Sequence, residues 1–169
     1  MRHIFIDTET TALSPTKGDK LVEIRAEEVI NRQITGKIFH HYINPQRGSD
    51  EGALGVHGLT TEFLSDKPLF HSIAQDLLSF VNGATVFIHN APFDLSFLNA
   101  ELSESGLNTF ESITVVDTLD LAKRKYPDER NNLDALCERL GVDNTERTFH
   151  GALLDASILA KVYLAMTPK

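Results

Sequence analysis

The sequence predicts an α/β protein, a mixed five-stranded sheet flanked by helices. Three observations predict it. Residues 3–43 hold three β-prone runs joined by short connections, the pattern of an antiparallel meander. Beyond them, short apolar runs alternate with segments of helical periodicity, which inserts further strands between helices. The length, 169 residues, suits one domain over 1–169, with enough apolar mass to bury roughly two-thirds of the surface an unfolded chain exposes.

The first strand is read over His3–Glu9, where Ile4, Phe5 and Ile6 are β-formers and the run then turns polar. Leu21–Ile30 and Ile34–Ile43 are the next two strands, joined by the turn-prone 31–33 and interrupted by Gly36. Asn44-Pro45 ends the meander, and Gly48, Gly52, Gly55 and Gly58 predict an irregular loop. Phe70, Ile73, Ala74, Leu77, Leu78 and Val81 recur at helical spacing, with Gly83 closing the helix. Ala84–His89 reads as a buried strand. Asn90 is placed to cap the next helix, with Pro92 in its first turn and Leu95, Leu98 and Leu102 on one face. Ile113–Val116 is the fifth strand. Asn131 is placed to cap a helix that Gly141 terminates, and a final helix runs from about Gly151 to Met166. The expected order is β-β-β-α-β-α-β-α-α.

Composition narrows the function. Hydrophobic residues at 41% and charged residues at 24% exclude a disordered tail, a collagen-like repeat and a coiled coil. The net charge of -8 disfavours a protein that grips nucleic acid by neutralising phosphates with its own cations, unless divalent ions supply positive charge locally. A single cysteine, Cys137, excludes an internal disulfide and points to a reducing cytoplasm. No run approaches a membrane span, and MRHIFIDTET meets an acidic residue too early for a signal peptide.

The chemistry lies in carboxylates placed where a core is expected. Asp7 and Glu9, two apart on a strand, share one face at its end. Asp94 sits in the first turn of a helix between Phe93 and Leu95; the helix dipole tolerates it there but does not account for the apolar neighbours. Asp155 heads a stripe with Leu159, Val162 and Met166, so it continues an apolar helix face. A carboxylate buried alone costs several kcal/mol unless it is paired or meets a cation. His150 lies at the entry to the same helix. Four carboxylates gathered from three elements form an oxygen cage suited to Mg²⁺ or Mn²⁺. Two such ions about 3.5–4 Å apart suit in-line phosphoryl displacement, and a nearby histidine suits deprotonation of the attacking water. The set points to metal-dependent phosphodiester hydrolysis.

IFIDTET at 4–10, HNAPFD at 89–94 and HGALLD at 150–155 resemble, in order, the three motifs of the DEDD superfamily of 3′–5′ exonucleases, in its histidine-bearing DEDDh branch. GVHG at 55–58 and RNNLDALC at 130–137 extend the resemblance to the proofreading epsilon-subunit family of bacterial DNA polymerase III, over nearly the whole chain. The resemblance implies an RNase H-like fold and 3′–5′ DNA exonuclease activity that releases 5′-monophosphates with two divalent metal ions. It implies that Asp7 bridges the metals, that Glu9 and Asp155 complete one site, that Asp94 supports the other, and that His150 is the general base. It implies that Thr8, Thr10, Ala12, Val56 and His57 hold the terminal nucleotide and that Asn90 orients the loop or the substrate. For His57 and Asn90, a surface histidine and a simple helix cap remain equal alternatives. Implied partners are a single-stranded or frayed DNA 3′ end, a theta-like subunit, and the polymerase alpha subunit, which the family docks through a tail absent from these 169 residues. An RNA-trimming exonuclease and an inactive binding module are the competing readings.

Two positions depart from the family. Ala12 stands where glycine is usual, and is strained if that position needs φ > 0. Arg25 stands where the family usually carries a small residue, on the face of Glu23, with which it can pair; if that face packs closely on the first strand, its bulk disturbs the site instead. Lys123, Arg124 and Lys125 read as cations favoured at a helix C-terminus, with phosphate contact as the alternative. Cys137 reads as packing, and Asp117 and Asp120 as helix-start residues.

Overall fold

The strand β1, Arg2–Thr10, is the axis of the fold, because both of its faces are covered. The structure is a computed structural model that describes residues 1–144 and 152–168. β1 pairs antiparallel with β2 (Leu21–Ile30), which pairs antiparallel with β3 (Gln33–Tyr42). On its other side β1 pairs in parallel with β4 (Thr85–Ile88), and β4 with β5 (Val115–Asp117). The sheet order is β3-β2-β1-β4-β5, the expected mixed sheet with the expected meander.

Alternation along β1 divides the core in two. Ile4 and Ile6 pack with α3 (Phe70–Val81) and α4 (Ala91–Glu104). Phe5 packs on the opposite face with α6 (Leu133–Leu140) and α7 (Ala152–Met166). Successive residues at the end of β1 therefore address two different helical layers.

Several local readings change. The glycine-bearing stretch 48–58 contains a helix, α1 (Glu51–His57), followed by α2 (Thr61–Leu64). Asp50 caps α1 by accepting from the Ala53 N–H at 2.7 Å, and Gly58 ends it in the left-handed conformation. Both ends are thus satisfied despite the internal glycines. A further helix, α5 (Thr118–Lys125), follows β5 directly and is absent from the expected order. Asp117 caps it, as its helix-start reading requires. The cap of α6 is Asn132, not Asn131; Asn131 is buried and donates to the Tyr126 and Glu129 carbonyls. Asn90 precedes α4 at φ 69° and ψ 54° with no side-chain capping bond. Its backbone N–H instead donates to Asp117 Oδ1 at 3.0 Å, which holds the turn in a left-handed state that asparagine tolerates.

The basic patch has local partners. Lys125 donates to the Met166 carbonyl at the end of α7, and Arg124 pairs with Asp120 at 2.9 Å. Cys137 is buried in the α6–α7 core, as its packing role requires. No helix among the described residues is long and apolar enough to cross a membrane.

Candidate active site

The C-terminal end of β1 is where the two layers meet. Asp7 continues the Phe5 face and Thr8 the Ile6 face. Asp155 opens the buried stripe of α7, with Leu159, Val162 and Met166 below it on the Phe5 side. Asp7, Glu9 and Asp155 consequently converge, their carboxylate oxygens within 4.8 Å of one another. Asp94 arrives from the opposite layer on α4. Its carboxylate is held over the sheet end by Thr8, whose Oγ1 donates to Asp94 Oδ2 at 3.0 Å. The four carboxylates anticipated from sequence thus gather around one strand end, three in mutual ligand range and Asp94 beside them. His150 lies outside the described residues.

Electrostatics agree with the geometry. Burial, and then the charges of Asp94, Asp155 and Glu9, hold the Asp7 carboxyl well above the usual carboxylate range. Burial pushes Asp94 up to about 7, against the opposing hydrogen bond from Thr8. Asp7 Oδ2 is buried without a hydrogen-bond partner. An orphaned carboxyl oxygen inside an all-oxygen donor set fits a hard divalent cation, which would satisfy the orphan and favour the ionised carboxylates together.

A cavity of about 310 Å³ adjoins the cluster. Thr8, Thr10, Ala12, Val56 and His57 line it, as anticipated, and Asn90 does not. Phe93 also lines it, with Glu9 and the start of α1, and was missed, although its place beside Asp94 in HNAPFD was the available signal. Leu13 and Val56 leave apolar surface exposed at the rim. A larger groove of about 760 Å³, between the end of α3 and the segment entering β5, contains no ionisable side chain.

His57 is not a surface histidine. It is buried, and its Nδ1 accepts from the Leu59 N–H at 2.9 Å, which places the proton on Nε2 facing the Thr10 carbonyl at 3.1 Å. Burial keeps it neutral by lowering its pKa. The ring ties α1 to β1 and so forms a wall of the cavity.

The two departures resolve differently. Ala12 is not among the residues with positive φ, so the strain expected of it is absent. Arg25 does not pair with Glu23, which is taken by His40 Nε2 at 2.7 Å; its Nη2 instead lies 3.5 Å from Glu27 Oε2.

The Exonuclease family matches residues 4–163. A DNA polymerase III subunit epsilon from Haemophilus influenzae is 52% identical over 172 residues, covering 98% of this chain and 67% of the relative. The Rickettsia typhi epsilon subunit is 50% identical, covering 99% and 74%. Among solved structures, Exonuclease X in complex with 5′ overhanging duplex DNA superposes with TM-score 0.74 at 25% identity, over 97% of this chain and 90% of that one. The nuclease domain of 3′hExo, a DEDDh family member, superposes with TM-score 0.81 at 16% identity, over 98% and 90%, and so shares the fold. Membership of this family implies dependence on divalent metal. A strand-end carboxylate cluster on an RNase H-like sheet, matched across nearly the whole chain, places this protein in the exonuclease family, among the 3′–5′ proofreading exonucleases of the DNA polymerase III epsilon type.

Proposed function

We propose that the chain hydrolyses the terminal 3′ phosphodiester of single-stranded or frayed DNA, one nucleotide at a time, releasing 5′-monophosphates during replication. The observation that supports this most directly is the Asp7–Glu9–Asp155 convergence, with its orphaned Asp7 oxygen, beside a cavity of about 310 Å³. Asp7, Glu9 and Asp155, supported by Asp94, would hold two divalent cations, Mg²⁺ or Mn²⁺, which supply an activated water and neutralise charge on the departing oxygen. The protein's own groups do the positioning. Thr8 fixes Asp94, and the His57–Thr10 bond fixes the cavity wall against β1. Thr8, Thr10, Ala12, Val56 and Phe93 enclose the terminal base and sugar. His150 takes the proton from the attacking water. Asn90 acts on the second-motif turn rather than on the nucleotide.

A cavity of this size admits one nucleotide and not a base pair, so the end must fray before it enters. Melting a stacked step costs about 0.6–2.2 kcal/mol, and each 1.4 kcal/mol saved by a mismatch raises entry about tenfold. The polymerase alpha subunit and a theta-like subunit are the partners we infer from the epsilon relatives, with the cytoplasm as the location. The test incubates the protein and Mg²⁺ with labelled single-stranded, mismatched and paired 3′ ends and a matched RNA oligomer. Single-stranded DNA should be degraded fastest and paired ends slowest, and His150→Ala should lose roughly two to four decades of rate. Equal rates on paired and mismatched ends, or internal cleavage of a circular single strand, would refute the reading.

A further inference from the structure

Among the described residues, the buried side-chain atoms left without a hydrogen bond are Asp7 Oδ2, Arg25 Nε and Glu27 Oε2. All three belong to β1 and β2, and the register explains their proximity. Arg25 is the direct cross-strand partner of Asp7, and Glu27 that of Phe5. Directly opposed residues of an antiparallel pair project from the same face, close enough for a long side chain to span. The face is the one that carries the carboxylate cluster.

Arg25 is poorly bound where it stands. Glu23, its neighbour toward the cluster end, is engaged by His40. Glu27, its neighbour away from the cluster, offers one contact at 3.5 Å, too long for a charge-assisted hydrogen bond. The guanidinium is largely desolvated, its side chain 13% exposed, yet its Nε–H has no acceptor. Leaving such a donor unmade is costly, more so when the group is charged. An unpaired carboxylate oxygen is a seat for a cation, and an unpaired guanidinium N–H is a seat for an anion. Here the residues that carry them are directly opposed on adjacent strands, so a guanidinium turned from Glu27 toward the strand end would come to the side of the carboxylate cluster.

We propose that Arg25 is a phosphate-binding residue of this active site. It leaves its loose contact with Glu27 and donates through Nε and an Nη to the phosphate of the terminal nucleotide. The inference rests on the exonuclease reading of the site and adds to it a phosphate contact supplied by β2. A guanidinium matches two phosphate oxygens at once and an ammonium does not, so lysine substitutes poorly.

Product binding tests this without turnover. Thymidine 5′-monophosphate and thymidine are titrated calorimetrically into the protein in Mg²⁺, and the ratio of their affinities isolates the phosphate. Arg25→Gln should weaken the monophosphate about tenfold, equivalent to 1.4 kcal/mol, and leave thymidine unchanged. Arg25→Lys should recover only part of the loss. The double variant Arg25→Gln/Glu27→Gln removes both partners, so no charge is left buried alone, and should show the same loss if the single variant folds poorly. Variants that keep the parent's affinity ratio would overturn the role of Arg25 and make it a counter-ion only. A parent protein that digests no DNA end in Mg²⁺ would overturn the exonuclease reading itself, a separate and earlier failure.

Discussion

Asp94→Asn should stabilise the metal-free protein while disabling the enzyme. Asp94 is 4% exposed, and burial raises its pKa from the ordinary 3.8 to about 7. At 1.36 kcal/mol per pH unit, an ionised Asp94 costs the metal-free fold about 4 kcal/mol once the pH is above 7. The sign follows from the direction of the shift. A carboxyl whose folded pKa is raised destabilises nothing below its unfolded value, and the stability is lost as pH climbs from about 4 through about 7. Asparagine keeps an oxygen for the Thr8 hydroxyl and carries no charge. Thermal denaturation in EDTA at about pH 8 should therefore place the variant roughly 8–16 °C above the parent, at 2–4 °C per kcal/mol for a chain of this size. The gap should shrink as pH falls below about 7 and close below about 4. In Mg²⁺ it should narrow, because cations then neutralise the parent's carboxylates, and exonuclease activity of the variant should fall by about two decades or more. Equal melting temperatures at about pH 8 in EDTA, or a gap that widens on acidification, would refute the reasoning.

Three further outcomes follow from the same structure. Asp7→Ala should lose at least two or three decades of activity, with EDTA abolishing the parent's, while its fold survives or gains stability because like-charge repulsion is relieved; single-turnover assays and melting curves check both. Ala12→Gly should destabilise by about 0.5–1 kcal/mol rather than relieve strain, since Ala12 does not have positive φ; denaturant titration measures it. Asp117→Ala removes the α5 cap and the tether of the Asn90 N–H together, so it should cost about 1–3 kcal/mol and loosen the turn that precedes Asp94, read as a weaker Mg²⁺ affinity by calorimetry.

Periodicity was enough to find the strands, the long helices and the carboxylates that interrupt apolar patterns. Asp7 and Glu9 share a strand face because side chains alternate, and Asp155 is buried because helical spacing puts it above Leu159, Val162 and Met166. These are local consequences of backbone geometry, and the sequence alone determined them. So was the family, through three ordered motifs. Short helices were harder: the glycines of 48–58 outweigh helix propensity on paper, whereas in the fold Asp50 and Gly58 satisfy both ends of α1. What only the tertiary structure decided is non-local. Asp94 reaches the cluster from the other layer, His57 is turned inward onto the Thr10 carbonyl, and Arg25 leans on Glu27 because His40 already holds Glu23. Each depends on strand register and on which helix crosses which face, contacts between segments far apart in the chain. No local pattern specifies these, because the same alternation and spacing are compatible with any register that keeps the apolar face inward.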